Sequence, residues 1–105
     1  MKLHKLERIF PPHHPASEGH FPGNPVIPGA VLLSEALRAI ESHLGVSLEP
    51  CELRSAKFFH PTRPGDRVQI EFSDAARDRI EFTCKVGEKS VLIGVVNCAG
   101  MSTPA

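Results

Sequence analysis

Hydrophobic and polar residues alternate along the second half of the chain, a pattern typical of strands with one face in a core. The alternating segments are Arg67–Phe72, with Val68, Ile70 and Phe72 inward, and Asp78–Val86, with Ile80, Phe82, Cys84 and Val86 inward. Cys51–Phe59 and Ser90–Ala99 are also predicted strands, and the second is apolar on both faces, as expected of a strand covered on both sides. The links SDAARD and GEK are short enough for hairpins, so we expect the sheet to be at least partly antiparallel.

The spacing of apolar residues changes to three and four in Gly29–Leu44, which predicts an amphipathic helix. Its predicted apolar stripe consists of Leu33, Ala36, Leu37, Ile40 and Leu44. Gly45 follows directly and is expected to end the helix in the C′ role. Before the helix, His4–Phe10 is a possible short strand, and Pro11–Pro28 is predicted to be loop because it holds six prolines.

The order of elements is one strand, a long loop, one helix and then about four strands. Packing a single helix against one sheet is the economical arrangement for this order, and it predicts the α+β class. With 105 residues the chain is expected to form one domain, residues 1–105. The core of such a domain is modest, which makes association with a second copy plausible.

Charge narrows the classes of partner. Lys and Arg together number 12, as do Asp and Glu, so the net charge is zero. This gives no electrostatic reason to bind nucleic acid or an anionic membrane, and we expect neither partner.

The longest apolar run, Val91–Val96, is too short to span a bilayer, and residues 1–10 lack the apolar segment of a signal peptide. We therefore expect a cytoplasmic protein.

Cysteine and histidine are the side chains that most often bind zinc. No CxxC spacing is present among the three cysteines, Cys51, Cys84 and Cys98. We expect them to be thiols in a reducing compartment rather than a disulfide framework or a zinc site. The single histidine cluster, which matches no ligand spacing, comprises His13, His14 and His20. We therefore expect no metal ion and no cofactor.

His20 stands in a stiff segment just before the predicted helix, where Pro22, Pro25 and Pro28 each fix a φ angle. The helix opens at Gly29, and its first backbone N–H groups are unpaired at the positive end of the helix dipole. A glycine N–H there can receive a carbonyl oxygen as it becomes an oxyanion, and a histidine can remove a proton from the adjacent carbon. The alternative is a structural loop in which His20 caps a backbone carbonyl.

Two motifs carry a resemblance to a known family. GHFPGNPVIPGAVLLSEAL resembles the HFPGxPxxPG signature of the β-hydroxyacyl-ACP dehydratases of the FabA/FabZ type, and AKFFHPTRPGD (Ala56–Asp66) is similar to the strand and turn of that family. The resemblance implies a hot-dog fold, with one long central helix wrapped by a bent antiparallel sheet of about five strands. It also implies a homodimer whose sheets join, with acyl tunnels at the subunit interface, and a possible higher assembly of dimers.

The resemblance assigns roles to individual residues. It implies that His20 is the catalytic histidine and that the Gly29 amide polarises the thioester carbonyl. The family's acid, contributed by the other subunit, falls at Ser34, and Glu35 is one residue too late. Taking the predicted stripe as inward, Ser34 lies at its border, whereas Glu35 falls on the opposite side and can pair with Arg38.

Other polar residues near the second motif receive structural interpretations. His60 and Asp66 are assigned to the turn. The remaining basic residues are interpreted as solvated charges, with contact to a carrier protein or a CoA phosphate as the alternative; they are Arg54, Lys57 and Arg63.

The leading interpretation is a 3-hydroxyacyl-ACP (or CoA) dehydratase-like lyase of fatty-acid or polyene-type lipid synthesis. The first alternative is a hot-dog acyl thioesterase, in which the same pocket polarises the carbonyl for attack by water. The second is a non-catalytic acyl-binding or partner subunit. All three bind an acyl thioester.

Overall fold

The computed structural model describes residues 3–10, 26–45, 47–48, 51–76 and 79–98 of the protein. Their elements are β1 (Leu3–Ile9), α1 (Gly29–Leu44), β2 (Cys51–Phe58), β3 (Arg67–Ala76), β4 (Arg79–Val86) and β5 (Lys89–Cys98). Every predicted element is present, and the main difference in bounds is that β3 continues beyond the predicted Phe72 to Ala76.

The strands form one five-stranded sheet in the order β1-β3-β4-β5-β2, and each pair is antiparallel. The predicted hairpins join β3 to β4 and β4 to β5. β2 lies beside β5 rather than beside its neighbour in sequence, so β1 and β2 are the two edge strands. This topology confirms the α+β architecture of one helix on an antiparallel sheet.

Alternate residues of the central strands fill the core, as predicted. The buried apolar positions on β3 and β4 are Val68, Ile70, Phe72, Ile80, Phe82 and Cys84, and Val86 is partly buried. β5 adds Leu92, Val96 and Cys98. The prediction that β5 is covered on both sides is met at one end, where the consecutive residues Val91 and Leu92 are both buried, but not at Ile93, which is exposed.

The buried face of α1 differs from the predicted stripe. Its buried residues are Leu32, Ala36, Ala39 and Ile40, whereas Leu33, Leu37 and Leu44 are only partly buried. The face is thus rotated towards Leu32 by roughly 70°, which is less than the turn of one residue, and it still includes Ala36 and Ile40. Small residues at the centre of the contact let the helix axis approach the sheet, so alanines occupy the middle and the larger leucines pack at the flank.

Both ends of α1 are set by the residues that border it. Pro28 precedes the first turn with φ −55° and provides no side-chain cap. Gly45 adopts the left-handed conformation with φ 72°, and its N–H donates to the Glu41 carbonyl at 2.8 Å, which confirms the predicted C′ role. The Glu41 carboxylate accepts a hydrogen bond from the Leu48 N–H at 2.8 Å and holds the chain that leaves the helix.

The prediction for the cysteines is wrong at two of the three positions. Cys51 and Cys98 form a disulfide between β2 and β5, where they are directly opposed with a Cα–Cα distance of 4.2 Å. The pairing has no local signature because the two residues are 47 positions apart and meet only through the sheet order. Cys84 is a free, buried thiol, and burial raises its pKa to about 12.

Among the described residues, α1 is the single helix, and none of them forms a helix that is both long and apolar enough to cross a membrane.

Candidate active site

A cavity of about 410 Å³ opens at the N-terminal end of α1. Two parts of the chain that are far apart in sequence form its walls. The segment at the start of the helix contributes Ile27, Gly29 and Leu32, and the end of β2 with the following turn contributes Phe58, His60 and Thr62. The volume falls in the range of small-molecule sites.

The turn after β2 is fastened to both the helix start and the sheet. The Ile27 N–H donates to the Thr62 carbonyl at 2.6 Å, and the Phe59 N–H donates to the Val91 carbonyl at 3.0 Å. Further along, the Asp66 carboxylate accepts from the Arg63 N–H at 2.8 Å, which confirms the predicted turn role of Asp66. The cavity wall is therefore held by backbone hydrogen bonds on either side of His60.

Gly29 lies where the helix N-terminus meets the cavity. A Cβ atom added there would lie 3.0 Å from Cε1 of Phe58, so the aromatic ring closes against the bare backbone of this residue. The first N–H groups of a helix carry partial positive charge and lack intrahelical acceptors. Gly29 thus brings the positive end of α1 into an apolar, aromatic cavity, where a carbonyl oxygen gains most from such a donor.

Thr62 adds a polar group to the cavity wall. Its side chain is 2% exposed, and its Oγ1 has no hydrogen-bond partner among the described residues. A buried hydroxyl without a partner is unfavourable by about 1–3 kcal/mol. A polar group of a bound ligand would relieve that penalty.

The residues predicted for the site have different outcomes. His20 lies outside the described residues. Gly29 lines the cavity, whereas Ser34 and Glu35 are not among the described residues that line it. The resemblance places the acid in the other subunit, so a single chain does not test either position.

The expected orientation of Ser34 and Glu35 within the chain is wrong, and the rotated face of α1 is the reason. Ser34 is exposed rather than at the border of the buried face, and Glu35 is partly buried rather than on the opposite side. The expected pair with Arg38 is present, with 3.8 Å between Glu35 Oε1 and an Arg38 guanidinium nitrogen. That pair is largely solvated.

Sequence reasoning missed the contribution of Phe58, His60 and Thr62. The sequence predicts a turn role for His60, yet it is the one titratable residue among the described residues that line the cavity. The basic residues nearby fit their interpretation as surface charges: Arg54 pairs with Glu52 at 2.5 Å, and Lys57 is exposed. The sequence offered one signal: each proline-rich motif stands just before the chain changes from one secondary-structure element to another. No local pattern indicates that the two motifs lie next to each other in the fold.

The chain is similar in sequence to curated dehydratases. A 3-hydroxyacyl-[acyl-carrier-protein] dehydratase FabZ of Caulobacter sp. (strain K31) is 36% identical over 92 residues, which cover 73% of this chain and 55% of the relative. The chain spans about half the length of the curated relatives it matches.

Two solved structures extend the comparison. One is the dehydratase heterocomplex ApeI:P from Xenorhabdus doucetiae, with a TM-score of 0.73, 17% identity and coverage of 91% of this chain and 87% of that chain. A probable thioesterase from Bartonella henselae has a TM-score of 0.62 and 18% identity and covers 90% and 85% of the two chains. Together with the helix-on-sheet architecture, these neighbours confirm the hot-dog fold.

A family model describing the ApeI dehydratase matches residues 2–95. The resemblance to the FabA/FabZ type is confirmed by this match and by the FabZ relatives. The chain belongs to the ApeI-like family of hot-dog dehydratases.

Proposed function

We propose that the protein removes water from a 3-hydroxyacyl thioester carried on an acyl carrier protein or on CoA. The observation that supports this most directly is the position of Gly29, which brings the helix N-terminus to a cavity with aromatic walls. A thioester carbonyl placed there would accept hydrogen bonds as it gains enolate-like charge. The FabZ relatives are named for this reaction class, which favours dehydration over the alternatives.

In this reaction His20 would remove the proton at C2 of the acyl chain. The Gly29 N–H would stabilise the charge that develops on the carbonyl oxygen, and the C3–O bond would then break to give the enoyl thioester. Protonation of the departing hydroxyl would fall to His20 itself, to water held by Ser34, or to Glu35. Thr62 would orient a polar group of the substrate.

We further propose that the active form is a homodimer, and a higher assembly of such dimers is the alternative. Support comes from the edge strand β2, whose apolar residues Leu53 and Phe58 are 48% and 49% exposed, and from Phe59 at 50% just beyond it. An open strand edge with apolar side chains favours pairing with another chain. The ApeI:P structure is named as a heterocomplex, so a related second chain is the alternative partner.

The cytoplasm is the compartment that we propose for the reaction.

The experiment is an assay of a 3-hydroxyacyl thioester that records enoyl product and free thiol separately. We expect enoyl product from the wild type and none from His20→Ala, with unchanged thermal melting. The matched control, His14→Ala, removes another histidine from the same proline-rich segment and should retain activity. Free thiol without enoyl product would instead indicate a thioesterase, and binding with neither product would indicate an acyl-binding subunit.

A further inference from the structure

The leaving hydroxyl of a 3-hydroxyacyl thioester needs a proton, because hydroxide is a poor leaving group. At the position that the family gives to its acid, this chain has Ser34, whose hydroxyl is not an acid at neutral pH. Glu35 is partly buried and lies 3.8 Å from an Arg38 guanidinium nitrogen, so its carboxylate already has a cationic neighbour. The cavity wall offers another group for this step.

We propose that His60 is the general acid that protonates the departing hydroxyl. This inference rests on the proposed dehydratase function and assigns a residue of the β2–β3 turn to a step usually given to the helix. His60 is the one titratable side chain among the described residues that line the Gly29 cavity. Imidazole is also the side chain that exchanges protons most readily near neutral pH.

His60 lines the same cavity as the helix start, close to Phe58 in sequence. Phe58 lies against Gly29, and the hydrogen bond from the Phe59 N–H to the Val91 carbonyl continues the pairing of β2 with β5 by one residue. The chain leaves β2 after Phe58 and bends at His60, and both residues line the cavity.

Backbone hydrogen bonds on both sides of His60 restrict its position. Phe59 is bound to β5 on one side, and the Thr62 carbonyl accepts from the Ile27 N–H at 2.6 Å on the other. A general acid works efficiently when its backbone is held rigidly, because proton transfer needs a defined distance. The unpartnered Oγ1 of the buried Thr62 provides a neighbouring group that can orient the substrate hydroxyl.

The proposed step balances without any further reactant. The C2–H bond breaks and the proton passes to His20, while the released electron pair forms the C2=C3 double bond. The C3–O bond breaks, and the hydroxyl oxygen takes a proton from the imidazolium of His60 and leaves as water. The enzyme ends with His20 protonated and His60 neutral, and proton exchange with solvent restores the starting state.

The test compares two substrates that differ only in the leaving group. A 3-hydroxyacyl thioester needs an acid, whereas its 3-chloro analogue releases chloride without a proton. We expect His60→Gln to lower turnover of the hydroxy substrate by about 10²-fold or more. Turnover of the chloro substrate should fall by less than about threefold, because its C2 proton is still removed by His20. A merely structural role would slow both substrates alike.

The control variant is His43→Gln, which removes the same chemical group from the far end of α1. His43 is 14 residues from Gly29, or about 21 Å along the helix, so both rates should be unchanged. If His60→Gln does not fold, His60→Asn receives the same comparison. Equal loss with both substrates, or no loss with either, would overturn the assignment. Failure of the wild type to convert either substrate would instead show that the proposed dehydratase function is wrong, and the inference with it.

Discussion

Gly29 is the residue whose lack of a side chain matters most for the proposed chemistry. In Gly29→Ala the new Cβ would lie 3.0 Å from Cε1 of Phe58, so the ring must move and the cavity narrows. Alanine favours helix over glycine by up to about 1 kcal/mol. We therefore expect a lower kcat/KM without a lower melting temperature, measured in parallel on the same preparations. Full activity would show that the cavity at Gly29 does not hold the reacting carbonyl.

Ser34 and Glu35 differ in what substitution should do. Glu35→Gln removes one partner of a largely solvated pair with Arg38, so activity should be nearly unchanged. Ser34→Glu installs the family's acid and should raise dehydration, most clearly in a His60→Gln background, since a positioned general acid gives about 10²–10⁴-fold. The gain can be smaller if the new carboxyl lacks orienting contacts. Inactive Glu35→Gln with unimproved Ser34→Glu would mean that Glu35 is the acid.

Cys84 should make stability depend on pH in the alkaline range. Burial raises the pKa of its thiol from 9.0 to about 12, so above pH 9 the unfolded chain loses a proton that the folded chain retains. The free energy of unfolding should then fall by about 1.4 kcal/mol per pH unit between pH 9 and 12. The Cys84→Ala variant has no thiol to titrate, so its stability lacks this pH dependence. The difference in free energy of unfolding between wild type and the variant should therefore be smaller at pH 11 than at pH 8. An equal difference at both pH values would contradict the buried thiol.

At the scale of elements, β4 and β5 meet through an unusually close contact. Gly94 is opposite Phe82, and a Cβ added at Gly94 would lie 2.4 Å from the end of the Phe82 ring. We expect Gly94→Ala to destabilise the fold by about 1–3 kcal/mol, measured by urea unfolding. In the Phe82→Leu background the same change should be less unfavourable, because the shorter side chain leaves room. Additive effects would show that the two residues do not collide.

The disulfide should affect stability according to redox state. The Cys51–Cys98 link closes a loop with a sequence separation of 47. In the entropic model this lowers the conformational entropy of the unfolded chain and raises the free energy of unfolding by about 4 kcal/mol. Oxidised wild type should therefore be more stable to urea than the same protein with dithiothreitol. Cys51→Ser should show no effect of the reductant. A wild type that is insensitive to reductant would indicate that the disulfide does not form in solution.

The elements themselves were predictable because their signals are local. Alternation identified β3 and β4, and the Gly45 position ended α1, since each depends on neighbouring residues only. The rotation of α1 was not predictable, because it depends on how Ala36 and Ala39 fit against the sheet. The same limit applies to the Cys51–Cys98 link and to His60 in the cavity wall, both of which follow from the sheet order.

At the scale of the molecule, the two edges of the sheet are not equivalent. β1 and β2 both carry exposed apolar residues, including Leu3 at 58% and Leu53 at 48%. However, β2 leads directly through Phe58 into the wall of the Gly29 cavity. A second chain paired along β2 would therefore be placed next to the candidate site, as the expected interface tunnel requires, whereas pairing along β1 would not.

This asymmetry predicts which edge holds the dimer. Light scattering at micromolar concentration should give twice the chain mass of 11.5 kDa for the wild type. Leu53→Glu places a charge on the β2 edge, beside its symmetry mate in a two-fold contact, and should shift the protein towards monomer with loss of activity. The matched control, Leu3→Glu on the β1 edge, should remain dimeric and active. A monomeric wild type would favour a heterocomplex with a related chain, and dissociation by Leu3→Glu alone would move the interface to β1.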